Sequence, residues 1–312
     1  MNANYCLLEQ ESLLHIVGPD SLTFLQGQTT CDTRLVDANR SVPGVYCTPQ
    51  GRVVCDFMLA QLGHEHFAMR MRRAIRSASS TVFGKYIIFS KATLDDSRDD
   101  WVTIGLWGAE IRSALSELFD EVPAQQFTAC SGDGYALLQT DEAGQHFECY
   151  LDAEHASGIL KNIQDALSPS PESQWQAQQI AAGIARIEAE TVEEFVPQIL
   201  NYDFTGHLDF GKGCYTGQEV VARLHYRGKS KRRTFLAQLS IAEKLVAGTP
   251  VYTLGNEQSV GNVINSSIEG ETIQLLVAAT ISGAAEGLYL HSADGEKLVI
   301  GDLPYSITSD EE

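Results

Sequence analysis

Phe210 Gly211 Lys212 Gly213 Cys214 Tyr215 Thr216 Gly217 Gln218 Glu219 Val220 Val221 Ala222 Arg223 is the stretch on which the reading of this sequence turns. Between Lys212 and Glu219 it sets a cation, a thiol, an aromatic ring, an amide and a carboxylate among glycines. A lysine two residues before a cysteine favours the thiolate, the form that attacks electrophiles or binds metal. Glycines let the backbone turn sharply or approach a ligand closely. Lys212 and Cys214 are therefore candidate catalytic residues, although the same triplet also suits a glycine-bracketed turn around a buried thiol.

Outward from this stretch, the 312 residues are 44% hydrophobic and 20% charged, enough for more than one packed unit of a globular chain. The formal charge is -19, which argues against a dedicated nucleic-acid binder unless basic residues gather in one place. They do gather, at Arg223, Arg227, Lys229, Lys231, Arg232 and Arg233. This run predicts either a meeting point for an anionic partner or a solvated loop before a strand. The seven cysteines are odd in number and scattered, without a CxxC pair, so they indicate neither a disulfide framework nor a zinc knuckle. The histidines 64, 66, 207 and 225 lack metal-ligand spacing, so no metal is expected. No signal-like start and no bilayer-length apolar run is visible, which makes a cytoplasmic protein without a membrane partner the expectation.

Along the chain, strands are predicted at 6–8, 13–17, 44–48, 52–62, 66–71, 101–106, 135–140 and 145–151. Helices are predicted at 73–86, 109–119 and 153–167, with a short one after Gly18 Pro19 Asp20, where Asp20 is the expected N-cap. The polar segment Gln26 Gly27 Gln28 Thr29 Thr30 Cys31 Asp32, just past that helix, is a place where loops serve sites. Ser168 Pro169 Ser170 Pro171 Glu172 Ser173 reads as a linker, with Ser173 capping a helix through Trp175 to Ala182. From Arg232 onward, short strands separated by turns and without helical periodicity predict a small antiparallel β-barrel. The class is α+β, with antiparallel sheets and helices on one face.

Read with its flanks, the opening stretch closely resembles the signature of the YgfZ family, folate-binding proteins related to the T-protein of the glycine cleavage system. Supporting matches are Leu25 Gln26 Gly27 Gln28 with Thr30 and Asp32, Tyr46 to Arg52, Phe195 Val196 Pro197 Gln198, and Tyr226 Arg227 Gly228. The resemblance covers essentially the whole length. It implies a three-part body around a central channel that binds tetrahydrofolate, and a role in maintaining or assembling iron-sulfur clusters in client enzymes, including one that methylthiolates tRNA. The expected division is a folate-binding α+β region over 1–230, made of two interleaved subdomains with 52–167 as a ferredoxin-like part, and a β-barrel over 231–312.

Carried over residue by residue, Cys214 falls at the family's signature cysteine, with Lys212 the lysine paired to it in sequence. Trp175, eight positions before Gly183, matches the spacing of a folate-contacting tryptophan. A second such tryptophan in some members corresponds here to Glu11. Tyr215 either stacks on a flat ring or closes the core beneath the loop. Gln218 and Glu219 offer donor and acceptor groups for a pterin edge, against helix capping for Glu219. Asp56 sits where the T-protein branch has a folate-directed carboxylate, and reads either as such a group or as an aspartate at a cavity rim. Arg223 and Arg227, with Lys229, suit a folate's glutamate tail, a transient contact to tRNA phosphate through 223–233, or surface salt bridges. The competing activity is folate-dependent transfer or removal of a one-carbon group, with Asp56 as base.

Overall fold

The structure is a computed structural model that describes residues 2–228, 230–240 and 245–307. The chain divides into two compact units. One gathers Met1–Gly44, Cys55–Glu172 and Lys212–Tyr215, the other Val45–Val54, Ser173–Gly211 and Thr216–Glu312.

In the first unit the elements run β1 (Asn4–Leu7), β2 (Glu11–Val17), α1 (Ser21–Gln26), β3 (Val42–Cys47), β4 (Val53–Gly63), β5 (His66–Arg72) and α2 (Arg73–Gly84). They continue with β6 (Thr93–Asp95), β7 (Trp101–Trp107), α3 (Ile111–Leu118), β8 (Ala129–Gly132), β9 (Tyr135–Gln139), β10 (His146–Asp152), α4 (Ser157–Ala166) and β11 (Ser168–Pro169). Residues 45–54, at the β3–β4 turn, belong to the second unit. One sheet has the order β3-β4-β5-β2-β6 and the other β11-β1-β7-β10-β9-β8.

Successive residues of a strand face opposite ways, and β10 shows what this does here. Phe147, Cys149 and Leu151 pack with Ile111 and Leu115 of α3 and Ile163 of α4. Tyr150 turns the other way, to Leu13, Met58, Ala60 and Ala68 of the other sheet. Helices, one sheet and the second sheet thus form layers within this unit, with apolar cores on both sides of β10.

Charge interrupts that second core. Buried Glu148 accepts hydrogen bonds from Arg70 Nε at 2.9 Å and Nη2 at 2.6 Å, and from the Tyr150 hydroxyl at 2.7 Å. Glu11, also buried, lies 3.6 Å from Arg70 and accepts from Arg72 at 2.8 Å. Register places Glu11 opposite Arg72 and Met58 opposite Arg70. Asp56, two residues before Met58, therefore shares this face. Buried charges persist only when paired and hydrogen-bonded, and these are.

In the second unit α5 (Glu172–Ala181) and α6 (Gln218–Arg227) precede a curled, half-barrel antiparallel sheet. Its strands are β12 (Arg232–Leu239), β13 (Pro250–Tyr252), β14 (Gly261–Glu269), β15 (Thr272–Thr280), β16 (Tyr289–Leu290) and β17 (Val299–Gly301), in the order β16-β13-β14-β15-β12-β17. Leu239, Val251, Val263, Leu275, Val277, Leu288 and Leu290 form its core. The chain thus adopts the α+β class read from its sequence, antiparallel C-terminal β part included.

Four local expectations are corrected. Ser168 and Pro169, read as linker, form β11 and pair in parallel with Asn4 and Tyr5 of β1. Ser173 lies inside α5 rather than capping it, and its carbonyl accepts from the Ser267 hydroxyl at 2.7 Å. Asp20 sits at the N-cap of α1 without a side-chain cap bond, because its carboxylate accepts from Lys91 N at 2.7 Å. The C-terminal region, read as free of helix, contains α7 (Ile281–Glu286), capped by the Thr280 hydroxyl on Gly283 N.

One buried base carries a pH prediction. His15 on β2 is fully buried, with Nδ1 2.9 Å from Nε2 of His66 and Nε2 without a hydrogen-bond partner among the described residues. Burial first, then the charge of His66, pushes it from 6.5 down to about 4. Between those values the unfolded chain binds one proton more than the folded chain, so stability falls as the pH is lowered. The contribution present at neutral pH and lost by roughly pH 4 is of order 3 kcal/mol. Urea unfolding of His15→Gln across this range is expected to show a shallower pH dependence than wild type by about that amount. An unchanged slope would assign it to other groups.

Candidate functional site

Of the opening motif, Lys212–Tyr215 belongs to the first unit, and residues 210–211 and those from 216 onward to the second. In the first unit the structure brings Lys212 to the polar segment 26–32. Its side chain is buried, and Nζ donates to the carbonyl oxygens of Gln26 at 2.8 Å, Cys31 at 2.7 Å and, in a short bond, Thr29. The same nitrogen lies 5.2 Å from the centre of the Tyr215 ring, a cation–π distance. An ammonium has three donors, and three carbonyls receive them.

The segment is shaped to present those carbonyls. Thr29 Oγ1 donates back to Leu25 O, Gln26 Oε1 accepts from both the backbone and the hydroxyl of Thr33, and Asp32 caps the next turn through Arg34 N. A two-point contact to Arg34 at 2.8 and 2.7 Å is the main reason the Asp32 carboxyl is lowered to about 2.

Cys214 is exposed, whereas the cysteines at 6, 31, 47, 55, 130 and 149 are buried. Burial pushes Cys6 up to about 12 and Cys31 and Cys130 up to about 11. Lys212, paired with Cys214 in sequence, acts in the structure on the 26–31 segment, where its charge pulls the Cys31 thiol downward without overcoming burial. Tyr215 is 9% exposed, with Lys212 over its ring. Asp56 is 1% exposed on β4.

In the second unit Gly217 is the N-cap of α6, at φ 82°. Glu219 stands in the first helical turn, where a carboxylate suits the helix dipole. Gln218 is half-buried, and Glu219, Arg223 and Arg227 are exposed at a spacing of four. Sequence reading leaves this run as a basic loop, whereas the structure makes it a helix seated on buried Val221, whose carbonyl accepts from Gln198 Nε2 at 2.7 Å. Trp175 lies on α5, 3% exposed.

Of the basic run, Arg233 is held by both carboxylate oxygens of Asp203 at 2.8 and 2.9 Å and lies over the Phe204 ring. Lys229 lies outside the described residues. Two features had no clear sequence signal: the stack of Phe210 on His225, with ring centres 3.7 Å apart, and the buried Gln198 Oε1, which has no hydrogen-bond partner among the described residues.

Residues 7–136 match the family model described as GCVT N-terminal domain. The tRNA-modifying protein YgfZ of Pectobacterium carotovorum subsp. carotovorum (strain PC1) is 31% identical over 306 residues, 96% of this chain and 91% of that one. The protein of that name from Escherichia coli (strain SE11) is 30% identical over 305 residues, 96% and 92% of the two chains. The chain belongs to the YgfZ family. Its fold is that of the glycine cleavage system aminomethyltransferase T from Bartonella henselae, matched with a TM-score of 0.77 at 13% identity over 97% of this chain and 86% of that one. Family membership agrees with the long signature around Cys214.

Two outcomes check this geometry. Titration with dithionitrobenzoate at neutral pH is expected to show one fast thiol in the native protein, none in Cys214→Ser, and all seven of the wild type in denaturant. A second fast thiol would overturn the burial pattern. Lys212→Met is expected to cost roughly 2–4 kcal/mol in urea unfolding, since it leaves three carbonyls without their donor. A loss below roughly 0.5 kcal/mol would show that the lysine does not hold the segment.

Proposed function

We propose that this chain is a tetrahydrofolate-binding accessory protein that supports the assembly, repair or activity of iron-sulfur enzymes, including a methylthiotransferase that modifies tRNA. The observation that carries the reading is Cys214: an exposed thiol, set apart from six buried ones, in the signature stretch of a family whose relatives are tRNA-modifying proteins. Its surroundings suit a chemical or recognition role at the surface, since Lys212 fixes the segment without capping the thiol. A reducing cytoplasm fits a working free thiol.

The donor set fits a folate in its chemistry. Gln218 and Glu219 supply amide and carboxylate groups for the amide and amino edge of a pterin, and both have exposed surface. Arg223 and Arg227 suit an anion, either the glutamate carboxylates of the folate or an RNA phosphate. Trp175, Tyr215 and Asp56 are nearly closed to solvent, so a ring stacking on either aromatic reaches it only as covering groups yield. The three-part organisation, with 1–230 as the folate region, 52–167 a ferredoxin-like part of it and 231–312 a separate β part, belongs to the same proposal.

Titration with tetrahydrofolate is expected to quench tryptophan emission and raise the melting temperature, with the quench reduced in Trp175→Leu. Absence of both signals in wild type would remove folate from the reading. Cys214→Ala is expected to fail in cells that lack the protein, and full complementation would leave the thiol without a role. Steady production of methylene-tetrahydrofolate and ammonia from tetrahydrofolate and an aminomethyl donor, abolished in Asp56→Asn, would replace the accessory role with a one-carbon transferase.

A further inference from the structure

On α6 the exposed residues Glu219, Arg223, Tyr226 and Arg227 follow the spacing i, i+4, i+7, i+8, so they form one outward stripe, with Val221 buried on the other side. Tyr226 is 68% exposed. Beside it, Phe210 and His225 are stacked at 10° with centres 3.7 Å apart. Tyr226 meets both edge-on, at 6.3 Å from Phe210 and 4.7 Å from His225. Three rings are thus held together next to two exposed guanidinium groups, in a chain whose formal charge is -19.

Different anions would use this surface differently. A chain of carboxylates uses the guanidinium groups and ignores the rings. Duplex RNA offers phosphates but keeps its bases stacked on one another, out of reach of side-chain rings. An unpaired stretch of RNA uses both, because phosphates meet the arginines while splayed bases stack on aromatic faces. We infer that the outer face of α6, with Phe210, is a docking surface for an unpaired segment of RNA such as a tRNA loop. The inference rests on the tRNA-linked part of the proposed function and adds to it a place and a structural class of target. Arg233 is excluded from the surface by its pairing with Asp203.

The test is fluorescence anisotropy of a labelled unpaired RNA oligonucleotide and of a blunt duplex of equal length, titrated with the full chain over a range of salt. The unpaired RNA is expected to bind more tightly than the duplex. Tyr226→Ala is expected to weaken it roughly ten-fold, with the tetrahydrofolate thermal shift unchanged. Arg223→Gln with Arg227→Gln is expected to lower the dependence of log affinity on log salt by roughly 1.4, the share of two phosphates on a single strand. Equal binding of the duplex, or unchanged affinity in Tyr226→Ala, overturns the surface. So does the pattern in which only polyglutamylated folate, and not RNA, responds to the double arginine variant. Absence of RNA binding at low salt, with tetrahydrofolate still raising the melting temperature, overturns it while leaving the folate reading in place.

Discussion

One ammonium group holds together two pieces of chain that lie some 180 residues apart: Lys212 Nζ donates to Gln26, Thr29 and Cys31. Gln26 ends α1, where the last turn of a helix leaves acceptors unpaired, and Thr29 and Cys31 follow in the loop beyond it. A lysine brought in from the signature stretch satisfies them, and burial makes the arrangement demanding, since a charge so enclosed persists only with its donors fully used. The consequence for chemistry is a separation of roles. Cys214, two residues on, is left facing solvent while its sequence neighbour is committed elsewhere. Cys31, which does feel the lysine's charge, stays a thiol because burial outweighs that charge and sets it near 11.

A second set of buried charges acts between the two sheets of the same unit. Arg70, Arg72, Glu11 and Glu148 balance two cations against two carboxylates, and Tyr150 adds a hydroxyl. Such a network is a poor source of net stability compared with an apolar core, yet removing one member leaves a partner charge stranded. It therefore constrains register: slipping β5 by one residue would carry Arg70 and Arg72 to the other face of the sheet together. Glu11 belongs to this network, which gives it a structural use.

Much of this was legible in the sequence where local periodicity and tertiary burial agree. β9, β10, β12 and β15 follow short apolar alternations bounded by turn residues, and the structure ends them within a residue or two of those signals. Misreadings cluster where two signals conflict. Ser168 and Pro169 carry a linker composition but occupy a sheet edge, where proline is tolerated because only one side of the strand need be paired. α6 starts at a glycine and carries a run of cations, both loop signals. A signal that could have found it was present in Glu219 near its start and Arg227 at its end, the charge order a helix dipole favours. The lysine clamp and the charge network had no local signal, because their partners are carbonyl oxygens or residues on distant strands.

One glycine of the signature is fixed by close approach of backbone. Gly217 adopts φ 82° at the start of α6, and a Cβ there would strike the Thr48 carbonyl oxygen. Gly51, at φ 72°, would place its own Cβ 2.8 Å from that of Val220. Within the second unit, then, the turn at Thr48 Pro49 Gln50 Gly51 and the start of α6 approach so closely that each needs a residue without a side chain. Two motifs far apart in sequence are two sides of one contact. That contact fixes where α6 begins, and with a helix of fixed pitch the beginning determines which way Arg223, Tyr226 and Arg227 point. The long signature is thus largely a set of structural instructions, glycines for the helix start and a lysine for the 26–31 segment. What those instructions leave facing solvent, the Cys214 thiol and the outer stripe of α6, is where the chemistry of the protein has room to act.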